Sequence, residues 1–345
     1  MTVVMKRYKR LFEREPDTLF GSFDELYTQT LRDQENSSTR WIPPANIYAT
    51  VYQDQFKVKV TGDRPYELND WSFSQLCSYL KTDRKVIGCL APTTAAQVIS
   101  EIFPVGQMPL QLFTTGTSIR SFHQIRYERL LNPELLDVVL EEAERLTGKF
   151  NERSNRMAYF MGDRDMFAYL VDESTWTHYR DEKFATAFVV WNSEVGGRSV
   201  GFRSGWYHAG TNSFMLRCED ANLTYSRRHS LRIRESIEQI RQRIQLWELQ
   251  IDDRCTELLD QMIEAAQCVL SKSESELQRY LIASGLLKEH AKETVKWLAD
   301  ENRTFTRFNV SIAVMAVAAT QPFASTRYDL ALVSGQIMQR KPRVA

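Results

Sequence analysis

The chain has 345 residues, of which 43% are hydrophobic and 26% are charged, and its formal net charge is zero. This composition excludes wholesale disorder and provides enough apolar side chains for a core, in one large domain or in two intertwined ones. The longest strongly apolar run, at 312–319 with its neighbours, is about half as long as a membrane-spanning helix. The basic N-terminus is followed by no apolar stretch of the secretory type, so we expect a cytoplasmic protein without a membrane partner.

The first half of the chain alternates between strand and helix patterns. The opening residues are polar and irregular in pattern, which we interpret as an N-terminal arm at 1–45. β-Branched and aromatic residues predict strand pairs at 46–60 and 110–127, the second turning at Gly116. Apolar residues at helical spacing, with capping residues and prolines at their ends, predict helices at 68–81, 93–103 and 132–148.

The second half is rich in strands and then becomes helical. Strands are predicted at 157–171 (a pair), 184–191, 200–207 and 213–218. From about residue 230 the apolar period changes to 3.6, which predicts one long helix at 233–270, or a helix with a break near Asp252, and shorter helices after it. The predicted fold is therefore α+β, with a central antiparallel β-sheet, flanking helices and a helical C-terminal third. We place the core domain at 46–230 and the helical region packed on it at 231–345.

The neutral net charge hides an uneven distribution of basic and acidic residues along the chain. Residues 198–234 carry seven arginines, no lysine and two acids, whereas residues 235–300 carry eight basic and thirteen acidic residues. Aromatic residues alternate with these arginines, and such a pattern is typical of a surface that holds phosphates on guanidinium groups and stacks unpaired bases on rings. The predicted contacts with nucleic acid are Arg198, Arg203, Arg217, Arg227 and Arg228 for phosphates, and Trp206 and Tyr207 for bases. The alternative is that antiparallel alternation turns the aromatic side chains to the core and the arginines to solvent.

Motifs of catalysis and metal binding are missing from the sequence. Five cysteines, an odd number, are widely spaced without CxxC, and the five histidines are isolated from one another without HExxH. The sequence contains no GxSxG nucleophile elbow, no phosphate-binding P-loop and no GxGxxG after a strand. We therefore expect reduced thiols, no metal site, no cofactor and no catalytic residue.

The strongest local signal is the stretch NSEVGG at 192–197. Two consecutive glycines at the end of a strand allow positive φ or close approach of another part of the chain. The stretch is interpreted as a structural bend or, alternatively, as a loop that contacts a ligand. Glu194 has no second carboxylate near it in sequence, so a role as a catalytic acid is not favoured.

The order of four motifs resembles a known family. IRSFHQIRYERLLNPELLDVV, VVWNSEVGGRSVGF, FMLRCEDAN and RRHS occur in this order, as in the phage/plasmid-like proteins of domain-of-unknown-function family 932. The resemblance spans roughly residues 65–340 and implies that the residues matching the family's motifs are Arg120, Tyr127, Arg129, Asn192, Ser193, Glu194, Gly196, Cys218 and His229. Two departures are Leu130, where the family usually has proline, and CEDANL, which lacks the family's glycine. The family occurs on phages and plasmids and has no agreed activity.

Three functions stay open at this point. The first is a non-enzymatic nucleic-acid-binding protein of phage or plasmid type, acting as a homo-oligomer in single-stranded DNA binding or annealing during replication or recombination. The second is a protein-interaction or oligomeric structural module. The third is an enzyme whose unrecognised site lies near Arg120, Tyr127, Glu194 and His229.

Overall fold

A computed structural model describes residues 9–103, 108–145, 158–218 and 220–339. The described part of the chain contains twelve α-helices: α1 Lys9–Phe12, α2 Phe23–Glu35, α3 Asp70–Tyr79, α4 Arg84–Gly88, α5 Pro92–Ile102, α6 Asn132–Arg145, α7 Glu235–Leu249, α8 Ile251–Gln267, α9 Glu274–Ala283, α10 Lys288–Asp300, α11 Arg307–Ala319 and α12 Ala324–Gln339. It also contains fourteen strands: β1 Thr18–Phe20, β2 Ser37–Ile42, β3 Ile47–Tyr52, β4 Gln55–Val60, β5 Glu67–Leu68, β6 Leu110–Thr115, β7 Ser118–His123, β8 Ala158–Met161, β9 Met166–Val171, β10 Thr177–Tyr179, β11 Glu182–Asn192, β12 Val200–His208, β13 Ser213–Leu216 and β14 Thr224–Arg227.

The central antiparallel sheet confirms the predicted α+β class. Its strand order is β1-β8-β9-β11-β12-β13, with β10 beside β11 and β14 beside β12, and every pair in it is antiparallel. A smaller sheet has the order β2-β6-β7-β5, and β3 and β4 form a hairpin. The C-terminal third is helical and packs on the central sheet through the contact of α12 with β13.

Helices cover both faces of the central sheet. Alternate residues of β11, such as Phe188 and Val190, pack in a core with α2, α6 and α7. The residues between them, such as Val189 and Trp191, pack on the other face against α12. Because each strand alternates its side chains between the faces, neither face of β11 is left for solvent.

The N-terminal segment is part of this fold where it is described, so the prediction of an irregular arm is wrong there. β1 pairs with β8 at the edge of the central sheet, α2 packs against α6, and β2 pairs with β6 in the smaller sheet. The polar sequence of this segment matches its place at the surface: Ser22 caps α2 by accepting a hydrogen bond from the Glu25 backbone N–H, and only three residues of the helix are buried.

The smaller sheet, the hairpin, α3 and α5 enclose a separate hydrophobic core. Phe73 and Leu76 of α3, Val58 of β4 and Ile99 of α5 are buried together in it. The described chain therefore contains two neighbouring regions, one built on the smaller sheet and one on the central sheet. The end of β11 and the segment after β7 lie where these regions meet.

Candidate functional site

The stretch at 192–197 forms a buried turn at the end of β11. Asn192, Ser193 and Glu194 are each at most 5% exposed. The Gly196 backbone N–H donates to the Ser193 carbonyl oxygen at 3.1 Å, and the Gly197 N–H donates to Ser193 Oγ at 2.8 Å. Gly196 has a φ of +72°, which fits the predicted need for glycine.

Hydrogen bonds from β7 and from the segment after it fix this turn. Glu194 Oε2 accepts from Arg120 at 3.0 Å, while its Oε1 accepts from the Asn132 backbone N–H at 2.9 Å. The Glu194 carbonyl oxygen accepts from the Tyr127 hydroxyl at 2.8 Å and from the Arg129 guanidinium. Both carboxylate oxygens are thus occupied and buried, and the geometry favours a structural role for Glu194 over proton transfer.

The turn also connects to the region built on the smaller sheet. The indole N–H of Trp71, on α3, donates to the Val195 carbonyl oxygen at 2.9 Å. Arg164, in the β8–β9 turn, donates to the carboxylate of Asp70 at the start of α3, and its carbonyl oxygen accepts from Ser193 Oγ at 2.6 Å. The turn therefore joins the two hydrophobic regions through polar contacts.

A column of three aromatic rings lies beside the turn. The rings of His123 and Tyr127 are stacked with centroids 3.5 Å apart and planes within 4°, and the His229 ring lies 5.5 Å from Tyr127 on a plane tilted by 22°. The Arg129 guanidinium lies 3.8 Å from the Phe113 ring centroid and 5.3 Å from that of Tyr127. We call His123, Tyr127 and His229 the ring column.

Burial sets the charge state of this column. It lowers the pKa of His123 to about 3, with the nearby Arg129 charge adding to the effect. It also lowers the pKa of His229 to about 4, although the Glu128 backbone acts in the opposite direction. The pKa of the Tyr127 hydroxyl is raised above its usual value by burial. At neutral pH all three rings are uncharged, whereas Arg129, whose pKa burial lowers only to about 10, stays cationic.

Most residues implied by the family resemblance meet at this place. Arg120, Tyr127, Arg129 and His229 contact the turn at 192–197 or the ring column, as described above. Cys218 does not share these contacts, since it lies against α12, where its thiol is 3.3 Å from the Leu332 carbonyl oxygen. His123, Asn132 and Trp71 also meet here and were not predicted as site residues, because nothing in their spacing along the sequence shows that they reach the turn.

The predicted base-stacking residues are buried, which corrects that part of the sequence analysis. Trp206 has no exposed surface and Tyr207 is 3% exposed. Trp206 packs among residues of α8 and α11, and Tyr207 packs on the opposite face near α12. Neither ring can stack on an unpaired base, because helices cover both faces of β12.

The arginines predicted to hold phosphates are mostly engaged within the chain. Arg217 is 9% exposed and donates to Glu257 at 2.7 Å, and Arg203 donates to the Arg217 carbonyl oxygen at 2.8 Å. Arg198 lies 3.2 Å from Asp329 and 5.2 Å from the Tyr328 ring centroid. The sequence predicted that these arginines face either a ligand or open solvent. Neither prediction fits them, because their side chains lie against the covering helices.

Arg228 differs from the other four because its side chain is exposed, whereas Arg227 is only partly exposed. Arg227 forms a partly exposed ion pair with Glu235 at 3.0 Å. The Arg228 side chain is exposed and contacts no carboxylate among the described residues. Of the predicted phosphate-binding residues, Arg228 alone is both exposed and without a carboxylate contact in the described ranges.

Comparison with known proteins adds no assignment: no protein-family model, curated protein or solved structure matches the chain. The resemblance to family 932 therefore stays a prediction. None of the helices in the described ranges is long and apolar enough to cross a membrane. Within the same ranges, no group of three or more His, Cys, Asp or Glu side chains is placed to hold a metal ion.

Proposed function

We propose that the protein binds single-stranded nucleic acid through two adjacent loops beside the ring column. We call this surface the loop face, and it consists of Ile125, Arg126, Arg228, Leu231, Arg232 and Arg234. The proposal keeps the function expected from the sequence and moves most of its site from the strands β12–β13 to these loops. The observation that carries it is the convergence of exposed arginines and exposed apolar side chains on one surface.

The two loops are held side by side by specific contacts. The His229 ring packs on Tyr127, and the Arg232 backbone N–H donates to the Glu128 carboxylate at 2.6 Å. These contacts bring residues more than one hundred positions apart in sequence onto one surface. A site whose loops are positioned by packed rings binds without the free-energy cost of ordering them.

The exposed charges of the loop face fit a phosphate backbone. Arg126 and Arg228 are exposed and have no carboxylate partner among the described residues. The side chains of Arg232 and Arg234 are 79% and 65% exposed, and their ion pairs with Glu235 and Glu134 are surface pairs of 4.0 and 3.2 Å. Because exposed ion pairs are weak, a phosphate can compete for these guanidinium groups.

Apolar exposure favours a single strand over a duplex. Ile125 is 56% exposed and Leu231 is 67% exposed, next to the arginines. Bases of a single strand offer apolar faces to such side chains, whereas a duplex presents mainly phosphates and sugars. The proposal therefore predicts stronger binding to an unpaired strand than to a duplex of the same length.

The test is binding of fluorescent single-stranded DNA, duplex DNA and RNA at several salt concentrations. For single strands, log affinity falls with log salt at a slope of about −0.7 per neutralised phosphate. Replacing Arg126 and Arg228 together with Ala should weaken binding and flatten the slope by about one to one and a half. Leu231→Asn should weaken binding without changing the slope, because apolar contact releases no counterions.

The matched control is Arg64→Ala with Arg180→Ala, which removes the same charge from two exposed arginines on other loops. It should leave affinity and slope close to those of the wild type. Equal weakening by both double variants, or no binding by the wild type at low salt, would overturn the proposal. In the second case a protein partner on Ile125 and Leu231 becomes the better hypothesis.

The proposal extends to the setting expected from the sequence. A cytoplasmic protein that self-associates along a strand fits a role in annealing or recombination. Gel filtration of the protein with and without a long single-stranded oligonucleotide tests the self-association: assemblies that grow with the strand length support it.

A further inference from the structure

A small pocket lies beside strand β4 of the β3–β4 hairpin. Its volume is about 310 Å³, at the lower end of the range for sites of small ligands. Among the described residues, its polar lining consists of Arg10 on α1, Gln55 and Lys57 on β4, and Glu67 on β5. The pocket shares no residue with the loop face.

The charged groups of this pocket carry an excess of one positive charge. Glu67 accepts one hydrogen bond from Lys57 Nζ at 2.6 Å and another from the Arg10 guanidinium. The Lys57 ammonium, with a smaller contribution from Arg10, holds the pKa of Glu67 below its usual value, so this carboxylate is charged at neutral pH. No other acid lines the pocket within the described ranges, so two cations share a single negative charge.

Both cations keep hydrogen-bond donors for a ligand. A lysine ammonium has three N–H donors and an arginine has five, and Lys57 and Arg10 each make a single hydrogen bond to the described residues. The side chains of Arg10 and Glu67 are 53% and 32% exposed, so their ion pair is open to solvent and weak. An anion that enters from solvent can therefore reach Arg10 directly and compete with Glu67 for it.

An exposed aromatic ring lies next to the pocket. Tyr52 is the most exposed aromatic residue in the described ranges, at 51%. It pairs with Gln55 across the hairpin, so these two side chains lie side by side on one face. Lys57 follows Gln55 by two residues and projects from the same face. Tyr52 and Lys57 are thus diagonal neighbours, about 7–8 Å apart between their Cα atoms.

We propose that this pocket and the Tyr52 ring together bind a free mononucleotide. The phosphate accepts hydrogen bonds from Arg10 and Lys57, and the base stacks on the ring of Tyr52. A phosphate monoester carries a charge of about −1.5 to −2 at neutral pH, which the excess positive charge of the pocket attracts. The small volume and the single pair of cations fit one phosphate, whereas a strand would need a row of cations. The site stands whether or not the loop face binds nucleic acid.

Isothermal titration calorimetry with adenosine monophosphate at low ionic strength tests the proposal. The wild type should bind one molecule per chain, and it should bind adenosine or inorganic phosphate much more weakly. Lys57→Met keeps the aliphatic stem but removes the ammonium, and should weaken binding by about ten- to a hundredfold, the usual effect of losing a charged hydrogen bond. Tyr52→Ala, at an exposed position, should weaken it by about five- to a hundredfold through lost stacking, and should leave phosphate binding unchanged.

Glu67→Gln should act in the opposite direction. It removes the charge that competes for Arg10 and Lys57, so it should tighten the binding of adenosine monophosphate. The matched controls are Lys59→Met and Tyr48→Ala, a lysine and a tyrosine that pair with each other on the same face of the hairpin but do not line the pocket. Both should bind adenosine monophosphate like the wild type.

Three outcomes would overturn the proposal. The first is no binding of adenosine monophosphate by the wild type. The second is equal weakening by Lys57→Met and Lys59→Met, or by Tyr52→Ala and Tyr48→Ala, since the pocket would then have no special part in binding. The third is equal affinity for adenosine and adenosine monophosphate, which would show that the phosphate makes no contact with the cations.

Discussion

Gly196 is the residue whose substitution most directly tests the packing of the turn. A Cβ atom added there would lie 2.8 Å from Cε1 of His123 and 3.0 Å from Cε2 of Tyr127. We expect Gly196→Ala to destabilise the protein by about 1–2 kcal/mol for the left-handed backbone and by about 1–3 kcal/mol more for the clash. Urea unfolding measures the loss.

Gly116→Ala separates the two contributions. Gly116 also has a positive φ, of +56°, but a Cβ added there would meet nothing within 4 Å. Its substitution should show the backbone contribution alone. If both variants lose the same stability, the ring column does not pack against the turn as described.

Glu194 gives the second test at the residue scale. Its side chain is 5% exposed and that of Arg120 is 12% exposed, so Glu194→Gln leaves a buried guanidinium without its counter-charge. From the sequence alone, an architectural Glu194 would tolerate this change. Its burial instead predicts a loss of about 3 kcal/mol in the free energy of unfolding.

A double variant and a control at the surface show whether the loss of stability comes from the buried ion pair. Adding Arg120→Met should recover part of the loss, because the unpaired charge is then removed. Glu235→Gln, which breaks the exposed pair with Arg227, should change stability by less than about 1 kcal/mol. A similar small effect of Glu194→Gln would show that its carboxylate is not buried in a pair.

At the scale of the element, the apolar period of α7 predicts which of its side chains are buried. Its sequence predicts one buried stripe of Ile237, Ile240, Ile244, Trp247 and Ile251, as an internal core seam or as a subunit interface. Ile240, Ile244 and Trp247 have no exposed surface, Ile251 is 8% exposed, and Ile237 is partly buried against the same core. Trp247 packs edge-on against Phe188 of β11 with ring centroids 5.0 Å apart. The stripe is therefore an internal seam between helix and sheet, and the alternative that it forms a subunit interface is excluded.

Trp247→Ala should consequently destabilise the monomer itself. Removing a fully buried tryptophan costs about 3–5 kcal/mol, which should appear as a large fall in melting temperature at any protein concentration. Leu249→Ala is the control, because it removes an exposed side chain from the same helix. An unchanged melting temperature for Trp247→Ala would contradict the packing of α7 on the sheet.

The long predicted helix is interrupted in the structure. The sequence predicts one helix or a helix with a break near Asp252. In the structure α7 ends at Leu249 and α8 starts at Ile251, with Gln250 at a φ of −110°. The 3.6-residue period continues through both helices and so cannot show where the first helix ends. The break follows from packing, since α7 contacts β12 whereas α8 contacts β10, β11 and the last two helices.

At the scale of the whole molecule, the ring column makes stability depend on pH. In an unfolded chain His123 and His229 take up protons as the pH falls through their ordinary pKa of 6.5. In the folded protein they stay neutral down to about pH 3 and 4, so the unfolded state binds more protons across this window. Their contribution to stability is complete above pH 6.5 and is lost progressively as the pH falls towards 4 and 3.

We expect each histidine to account for about 1–2 kcal/mol of lost stability between pH 7 and 5, where most carboxylates keep their charge. His123→Phe keeps a ring on Tyr127 and should reduce this loss. His178→Phe, at an exposed position on β10, should not reduce it. Urea unfolding at the two pH values measures the difference, and equal losses in both variants would argue against burial of the column.

The amino-acid sequence by itself determined the class of the fold and most of its elements. Period-two and period-3.6 patterns depend on local chain geometry, so the strand pairs, the helical C-terminal third and the stripe on α7 could be predicted. The need for glycine at 196 also follows from local conformation. The strands in the polar segment at 18–42 were not predicted, because they are short and lie at sheet edges, where few apolar residues are needed.

Only the tertiary structure decided which surfaces are free. A strand of alternating aromatic and arginine residues has the same pattern whether one face meets solvent or helices cover both. The covering helices come from later parts of the chain, which no local pattern encodes, and they bury Trp206 and Arg217. For the same reason the meeting of His123, Tyr127 and His229 depends on contacts between segments far apart in sequence.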